Sequence, residues 1–338
     1  MTHFMKRTSF RIAASLGLCA FPLAAADLTF FTVNVRRPEY AGKRVKLTGR
    51  ENGPPMKSTW DGMLTLEFNG AHPGVSALKI TPNPEAVTVF LAGDSTVTDQ
   101  VNEPWAGWGQ MLPAFFGAGV AVSNHAESGL TLRSFAYQGR LDKVLSMMKK
   151  GDYLFIQFGH NDQKDKSAGA GPFTTYKEKL VEYVKAVRKK GGIPVLVTPV
   201  ERRRWSGGKP QATLADFAEA VRQAGREQNV PVIDLNAKSL DTYAALGDEG
   251  TRRAFVHFPA HTFPGQDTAL RDDSHHSNFG GYLLARCMVR GIRDELPELA
   301  AHLRPGIGEC DPSKPATLEA ASIPPNPVKL TPEKPAGD

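Results

Sequence analysis

From residue 86 onward, short apolar runs recur between helix-like stretches, and this alternation leaves the chain very few folds to choose from. The runs are Val87 to Leu91, Ala118 to Ser123, Asp152 to Phe158, Ile193 to Thr198 and Val230 to Leu235. They are nearly continuous rather than alternating, as strands covered on both faces require. Between them, Leu180, Val184 and Val187 recur at i, i+4, i+7 within Tyr176 to Lys190, and most Lys and Glu residues fall outside that stripe. Thr213 to Gln228 follows the same pattern. Five strands joined by crossover helices predict a doubly wound α/β sandwich built on a five-stranded parallel sheet, spanning about residues 85–304.

The flanks differ. Lys6, Arg7 and Arg11 precede an uncharged stretch from Ile12 to Leu23, and Ala24-Ala25-Ala26 supplies small residues at a cleavage position. Residues 1–26 therefore predict a secretory signal peptide and an exported protein, periplasmic or extracellular. The competing reading, a membrane anchor, needs about 20 apolar residues, and this run is shorter. Cys19 raises a lipoprotein, but Leu18 stands where a small residue is expected. Residues 27–84 predict a small β-rich module. Leu28 to Val35 is rich in strand formers, and Leu64, Leu66 and Phe68 alternate with Thr65 and Glu67. Residues 305–338 are proline-rich and predict an extended tail along the surface.

Composition narrows the function. Hydrophobic residues make up 41% and charged residues 22%, so the chain can build an ordinary globular core. Removing three basic leader residues takes the formal charge from +6 to +3. That is too weak for nucleic acid, and no nucleic-acid motif appears. No later segment is apolar enough to span a membrane. Cys287 and Cys310 remain in the mature chain, and spacing alone does not say whether they pair.

Active residues in open parallel sheets collect past the carboxyl ends of the strands, and four blocks there carry unusual chemistry. Gly93-Asp94-Ser95-Thr96-Val97 follows the first run, where a tight turn exposes a serine hydroxyl. Alone, it also fits an ordinary turn with Asp94 or Ser95 as a cap. Gly129, in Asn124-His125-Ala126-Glu127-Ser128-Gly129, fits a plain loop glycine as well as a backbone donor. Asn161, in Phe158-Gly159-His160-Asn161-Asp162, offers an amide donor or a turn residue. Asp272-Asp273-Ser274-His275-His276 stands before a helix expected from about Asn278 to Ile292. An Asp three residues before a His can accept the imidazole Nδ1–H and leave Nε2 free for a serine proton. Paired histidines also suggest a metal site, but adjacent residues point in different directions, and no metal is assigned.

The order serine, glycine, asparagine, Asp-x-x-His makes the chain resemble the SGNH (GDSL-like) hydrolases, most closely their rhamnogalacturonan acetylesterase branch. The matching text is VFLAGDSTVTDQ, GWGQMLPAFF, NHAESGLTLRSF, YLFIQFGHNDQ and DDSHHSNFGGYLLAR, covering roughly residues 86–300. The resemblance implies a flavodoxin-like sheet, no cofactor, and a Ser95–His275–Asp272 triad. It also implies an oxyanion hole from the N–H groups of Ser95 and Gly129 and the Asn161 amide. Ser274 stands where the family has Thr, and the doubled residues permit a shifted register, Asp273 with His276. The hydroxyl at 274 and Gly280 favour Asp272 with His275.

The implied activity is removal of acetyl groups from an acetylated acidic plant cell-wall polysaccharide, rhamnogalacturonan or pectin. Arg202, Arg203 and Arg204 follow the fourth run and are candidates to attract its carboxylates, although a solvated loop explains them equally. Xylan deacetylation, a lipase or thioesterase role, and a carbohydrate-binding protein without catalysis are the alternatives. The polar residues around Ser95 (Asp94, Thr96, Thr98, Asp99) disfavour a lipase.

Overall fold

A computed structural model describes residues 30–53, 56–66, 77–321, 323 and 331–336. The expected leader, and residues 54–55, 67–76 and 324–330 of the flanks, lie outside the described residues. In chain order the strands are β1 (Glu39–Tyr40), β2 (Lys43–Arg44), β3 (Val87–Gly93), β4 (Trp105–Ala106), β5 (Val120–Asn124) and β6 (Tyr153–Gln157). They continue as β7 (Ile193–Val197), β8 (Trp205–Ser206), β9 (Lys209–Pro210), β10 (Val232–Ile233), β11 (Phe255–Phe258) and β12 (Leu270–Ser277). The helices used below are α1 (Gly49–Asn52), α2 (Trp108–Met111), α3 (Leu132–Tyr137) and α4 (Arg140–Met147). They are followed by α5 (Lys177–Lys189), α6 (Ala215–Gln228), α7 (Leu235–Ala254) and α8 (Asn278–Glu295).

Five strands pair in parallel in the order β10-β7-β6-β3-β5. The first strand of this sheet, β3, is flanked on one side by the second and on the other by the third. The direction of winding therefore reverses beside β3, and a crevice opens at its carboxyl end. Side chains of β3 divide between the faces with period two. Val89 and Leu91 join a core with Leu284, Met288 and Ile292 of α8. Phe90 and Ala92 join the opposite core with Val144 of α4, Leu180, Val184 and Val187 of α5, and Val221 of α6. The expected stripe of α5 is thus fully buried. The last strand is shorter than its apolar run, because Asp234 caps α7 by accepting the Ala237 N–H at 3.2 Å and draws Leu235 into the helix.

A second sheet had no signature in the sequence. β11, β12 and β4 form an antiparallel set in which β12 is central. It carries the Asp-Asp-Ser-His-His block, which the sequence placed only before a helix.

The N-terminal segment corrects one expectation. Residues 30–35 run without a ladder partner instead of forming a strand. They attach to the domain through side chains. The Thr32 hydroxyl donates to the Ala118 carbonyl, and the Ser123 hydroxyl of edge strand β5 donates to Asn34 at 3.1 Å. A residue rich in strand propensity is a strand only if its backbone finds a ladder. A small antiparallel hairpin, β1–β2, does precede the sheet. Among the described residues, no helix is long and apolar enough to cross a membrane.

Candidate active site

β3 ends in a turn that only glycine permits at 93. A Cβ there would lie 2.4 Å from Val97 and 3.0 Å from the Gln157 carbonyl. Asp94 then folds the turn on itself, its Oδ1 accepting the Thr96 N–H at 3.0 Å and the Thr96 hydroxyl at 2.8 Å. Burial pushes the Asp94 carboxyl above its ordinary range. Ser95 sits at the tip, beyond the carboxyl end of β3 and 4% exposed.

β12 brings the second half of the site. Phe255 of β11 stands opposite His276, yet the next residue, Val256, stands opposite Asp272. Residues 273–275 bulge out of the ladder, which turns Asp272 and His275 to one side. His275 Nδ1 lies 2.9 Å from Asp272 Oδ2, and His275 Nε2 lies 3.0 Å from Ser95 Oγ. Asp272 is over-determined. Its Oδ1 accepts the N–H groups of Ser274 and His275, both at 3.0 Å, and its Oδ2 accepts the Trp105 indole N–H at 3.1 Å. Burial opposes the charge on Asp272, but His275 and Trp105 more than offset it and hold the carboxyl well below its usual range.

The neighbouring pair points elsewhere. His276 Nε2 meets the Tyr243 hydroxyl at 2.7 Å, and its ring packs on Phe255 at 4.3 Å between centroids. Burial and then the nearby His275 lower its pKa to about 3, so it is a neutral core ring. Asp273 is taken up by His257 at 2.8 Å and Arg203 at 3.2 Å. The shifted register is therefore not formed, and the two histidines do not converge on one point.

Two loops close the site. After β5, the His125 N–H donates to the Leu91 carbonyl at 3.0 Å and the Glu127 N–H to the Gly93 carbonyl at 3.2 Å. These bonds lash the loop bearing Gly129 to β3. Gly129 has φ +79°, the left-handed region that suits glycine. After β6, the Asn161 side chain donates to the Leu130 carbonyl at 3.1 Å, and its amide keeps a second N–H. Next to it, Asp162 accepts the Leu132 N–H at 3.0 Å, and burial raises its pKa to about 7.

The three arginines are not equivalent. Arg203 is held by Asp248 and Asp273 and is 9% exposed at its side chain. Arg202 Nε donates to the Ser274 hydroxyl, beside His275, at 3.2 Å. Arg204 is exposed and leads into the β8–β9 hairpin. All three line a cavity of about 570 Å³ with Gln163, Trp205, Thr213, Asp248, Arg252 and Asp273, in which arginines outnumber aspartates.

Several site residues carry no sequence signal. Trp105 is 167 residues from the Asp272 it supports. Residues 331–336 of the tail reach the site. Lys334 Nζ lies 3.9 Å from Asp272 Oδ2, Pro335 is buried, and a Cβ built on Gly129 would lie 3.6 Å from Ala336. Cys287 and Cys310 are both buried free thiols.

A buried serine–histidine–aspartate hydrogen-bonded chain at the switch point of a doubly wound parallel sheet is an arrangement that serine hydrolases use. The chain matches the model of the GDSL-like Lipase/Acylhydrolase family over residues 91–261, about half its length, and belongs to that family. The matched stretch holds Ser95, Gly129 and Asn161. The chain is 40% identical over 220 residues to rhamnogalacturonan acetylesterase RhgT of Bacillus subtilis strain 168, covering 64% of this chain and 94% of that protein. It is 34% identical over 211 residues to the probable rhamnogalacturonan acetylesterase YesY of the same organism, covering 61% and 92%. The X-ray structure of protein YxiM from Bacillus subtilis superposes with a TM-score of 0.54 at 28% identity, covering 62% of this chain and 56% of that one. Within the family the chain falls in the rhamnogalacturonan acetylesterase branch, and it is a carboxylic ester hydrolase.

Proposed function

We propose that this protein is an exported serine esterase that removes acetyl groups from an acidic plant cell-wall polysaccharide, rhamnogalacturonan or a related pectin. The observation that carries the mechanism is the unbroken chain from Ser95 Oγ through His275 to Asp272, at 3.0 and 2.9 Å. His275 Nε2 takes the hydroxyl proton as Ser95 attacks the acetyl carbonyl carbon. Asp272 holds Nδ1–H and stabilises the imidazolium. The N–H groups of Ser95 and Gly129 and the Asn161 amide receive the tetrahedral oxyanion. Losing one such donor typically costs about 3 kcal/mol of barrier. Collapse breaks the ester bond, and the sugar oxygen leaves with the proton from His275. Water, deprotonated by the same ring, then attacks the acetyl carbon, releasing acetate and restoring Ser95.

Two features support the substrate. RhgT is by name a rhamnogalacturonan acetylesterase and YesY a probable one. The cavity beside Ser274 carries an excess of arginine, suited to galacturonate carboxylates. The basic front, apolar stretch and Ala24-Ala25-Ala26 of the leader support export. Acetate release across a panel of acetylated pectins and xylans tests the reading, with Ser95→Ala as the control. Preference for acetylated rhamnogalacturonan is expected. Equal or better turnover of neutral acetylxylan would replace the pectic assignment, and near-normal turnover by Ser95→Ala would end the mechanism.

A further inference from the structure

Arg50 stands on α1, ahead of residue 91 where the family match begins. Its guanidinium nevertheless reaches both loops that build the site. Nε and Nη2 donate to the two carboxylate oxygens of Glu127, at 2.8 and 2.5 Å. Nη1 donates to the Asp99 carbonyl at 3.2 Å, and Nη2 also approaches the Thr98 hydroxyl at 3.4 Å. Thr98 and Asp99 end the turn that carries Ser95. Glu127 precedes Gly129 by two residues. These side-chain hydrogen bonds of Arg50 go to the two site loops.

The anchor behind Arg50 is buried and hydrogen-bonded. Glu51, its neighbour, is 2% exposed and forms a two-pronged ion pair with Arg140, the first residue of α4, which is fully buried. The Trp60 indole donates to the same Glu51 carboxylate at 3.0 Å. The Thr48 hydroxyl, which caps α1, reaches Glu127 Oε1 at 3.2 Å. A continuous set of charge-assisted bonds therefore runs from α4 through α1 to the loop of Gly129. The planar fork of arginine suits this task, since it can grip a carboxylate with two N–H groups and still reach a carbonyl with a third.

We propose that Arg50 is a positioning residue for catalysis: it sets the spacing between the nucleophile turn and the Gly129 loop, so that the N–H groups of Ser95 and Gly129 converge on one oxyanion. This rests on the proposed roles of Ser95 and Gly129. Oxyanion donors act because they are preorganised, and a misplacement near 1 Å costs on the order of a hundredfold in rate. A small neutral acetate ester has no group to meet Arg50, so the effect falls on kcat rather than KM.

The test uses the full chain, a small neutral acetate ester and a serine-reactive fluorophosphonate that counts active sites. Peptide mass spectrometry identifies the labelled residue. With Ser95 labelled, Arg50→Met should lower kcat per labelled site by about 10- to 100-fold, with KM within about twofold. Arg50→Lys keeps a cation against Glu127 but loses the fork, and should fall between wild type and Arg50→Met. Adding Glu127→Gln to Arg50→Met should cost little more, because the two residues act as one unit. An ion pair that only stabilises the fold would lower the melting temperature and leave kcat per labelled site unchanged. That result in Arg50→Met overturns the proposal, and if Arg50→Met does not fold, the same result in Arg50→Lys overturns it. Failure of the probe to label Ser95 in the wild type would instead remove the nucleophile assignment, and the positioning role with it.

Discussion

His275 and Ser95 are 180 residues apart in sequence, yet His275 Nε2 lies 3.0 Å from Ser95 Oγ, while the adjacent His276 turns away to the Tyr243 hydroxyl. Two neighbouring histidines thus have separable jobs. His275→Ala should lower kcat by about 10³- to 10⁴-fold or more without a large change in melting temperature. His276→Ala removes a buried ring packed on Phe255, and should cost about 2–4 kcal/mol of stability as a cavity forms. Its kcat, measured well below the melting temperature, should stay within a few-fold of wild type. The opposite pattern of rates would transfer the catalytic role to His276.

His275 first, then the Trp105 indole and two backbone N–H groups, hold Asp272 in its ionised form. Asp272→Asn keeps the shape but favours the wrong imidazole tautomer, and kcat should drop by about 10³- to 10⁴-fold. Trp105→Phe leaves the carboxylate paired with His275 and should cost at most about tenfold, the loss of one supporting hydrogen bond. Steady-state kinetics on both variants checks the ranking. If Trp105→Phe proved as damaging as Asp272→Asn, the carboxylate would not be acting through His275.

Stability should depend on pH through two buried groups with opposite signs. Burial raises Asp162 from 3.8 to about 7, so the folded chain binds this proton more tightly than the unfolded chain. Its contribution is full below about pH 4 and is lost as pH rises from there to about 7, with no further change above. His276 is lowered from 6.5 to about 3, so its contribution is lost as pH falls from 6.5 toward 3. Thermal melts from pH 6 to 8.5 should show a decline for the wild type that ends by about pH 7.5, where both states have lost the Asp162 proton. Asp162→Asn, which cannot ionise, should flatten it. An equally steep decline in the variant would show that another group is responsible.

The arginine loop should act on charged substrate only. Exposed charges are screened beyond about 8 Å at physiological ionic strength. Added salt should lower kcat/KM on acetylated pectin and barely change it on a small neutral ester. Arg204→Gln should reduce that salt sensitivity, since Arg204 is exposed on the cavity rim. Arg203→Gln should instead destabilise the fold, because it leaves Asp248 and Asp273 without their shared partner. Equal salt dependence for polymer and neutral ester would point to a neutral polysaccharide such as xylan.

The tail lies against two groups of the site, through Lys334 at Asp272 and Ala336 at Gly129. Deleting residues 331–338 should raise kcat/KM, more for polymer than for a small ester, with little change in melting temperature. Lower activity on the polymer after deletion would make the tail part of the substrate site instead of a cover over it.

Local pattern determined a great deal here. A buried strand flanked by amphipathic helices announces itself within about ten residues, because the period of the side chains is set by the backbone. The parallel sheet, the buried stripe of α5 and the order of the serine, glycine, asparagine and Asp-x-x-His blocks were legible for that reason. Ser95, Gly129 and Asn161 stand past the ends of strands, where the topology of such sheets leaves room for chemistry. What depends on contact between distant segments was not legible. The bulge that selects Asp272 with His275 exists only because β12 pairs with β11. In the sequence Arg203 is one of three adjacent arginines, and only the fold shows Asp248 and Asp273 beside it. Arg50 meets Glu127 across 77 residues, and Glu51 meets Arg140 across 89. A charged side chain carries no local mark of its partner, since pairing depends on desolvation and distance after the chain has closed on itself, and only the tertiary structure decides those.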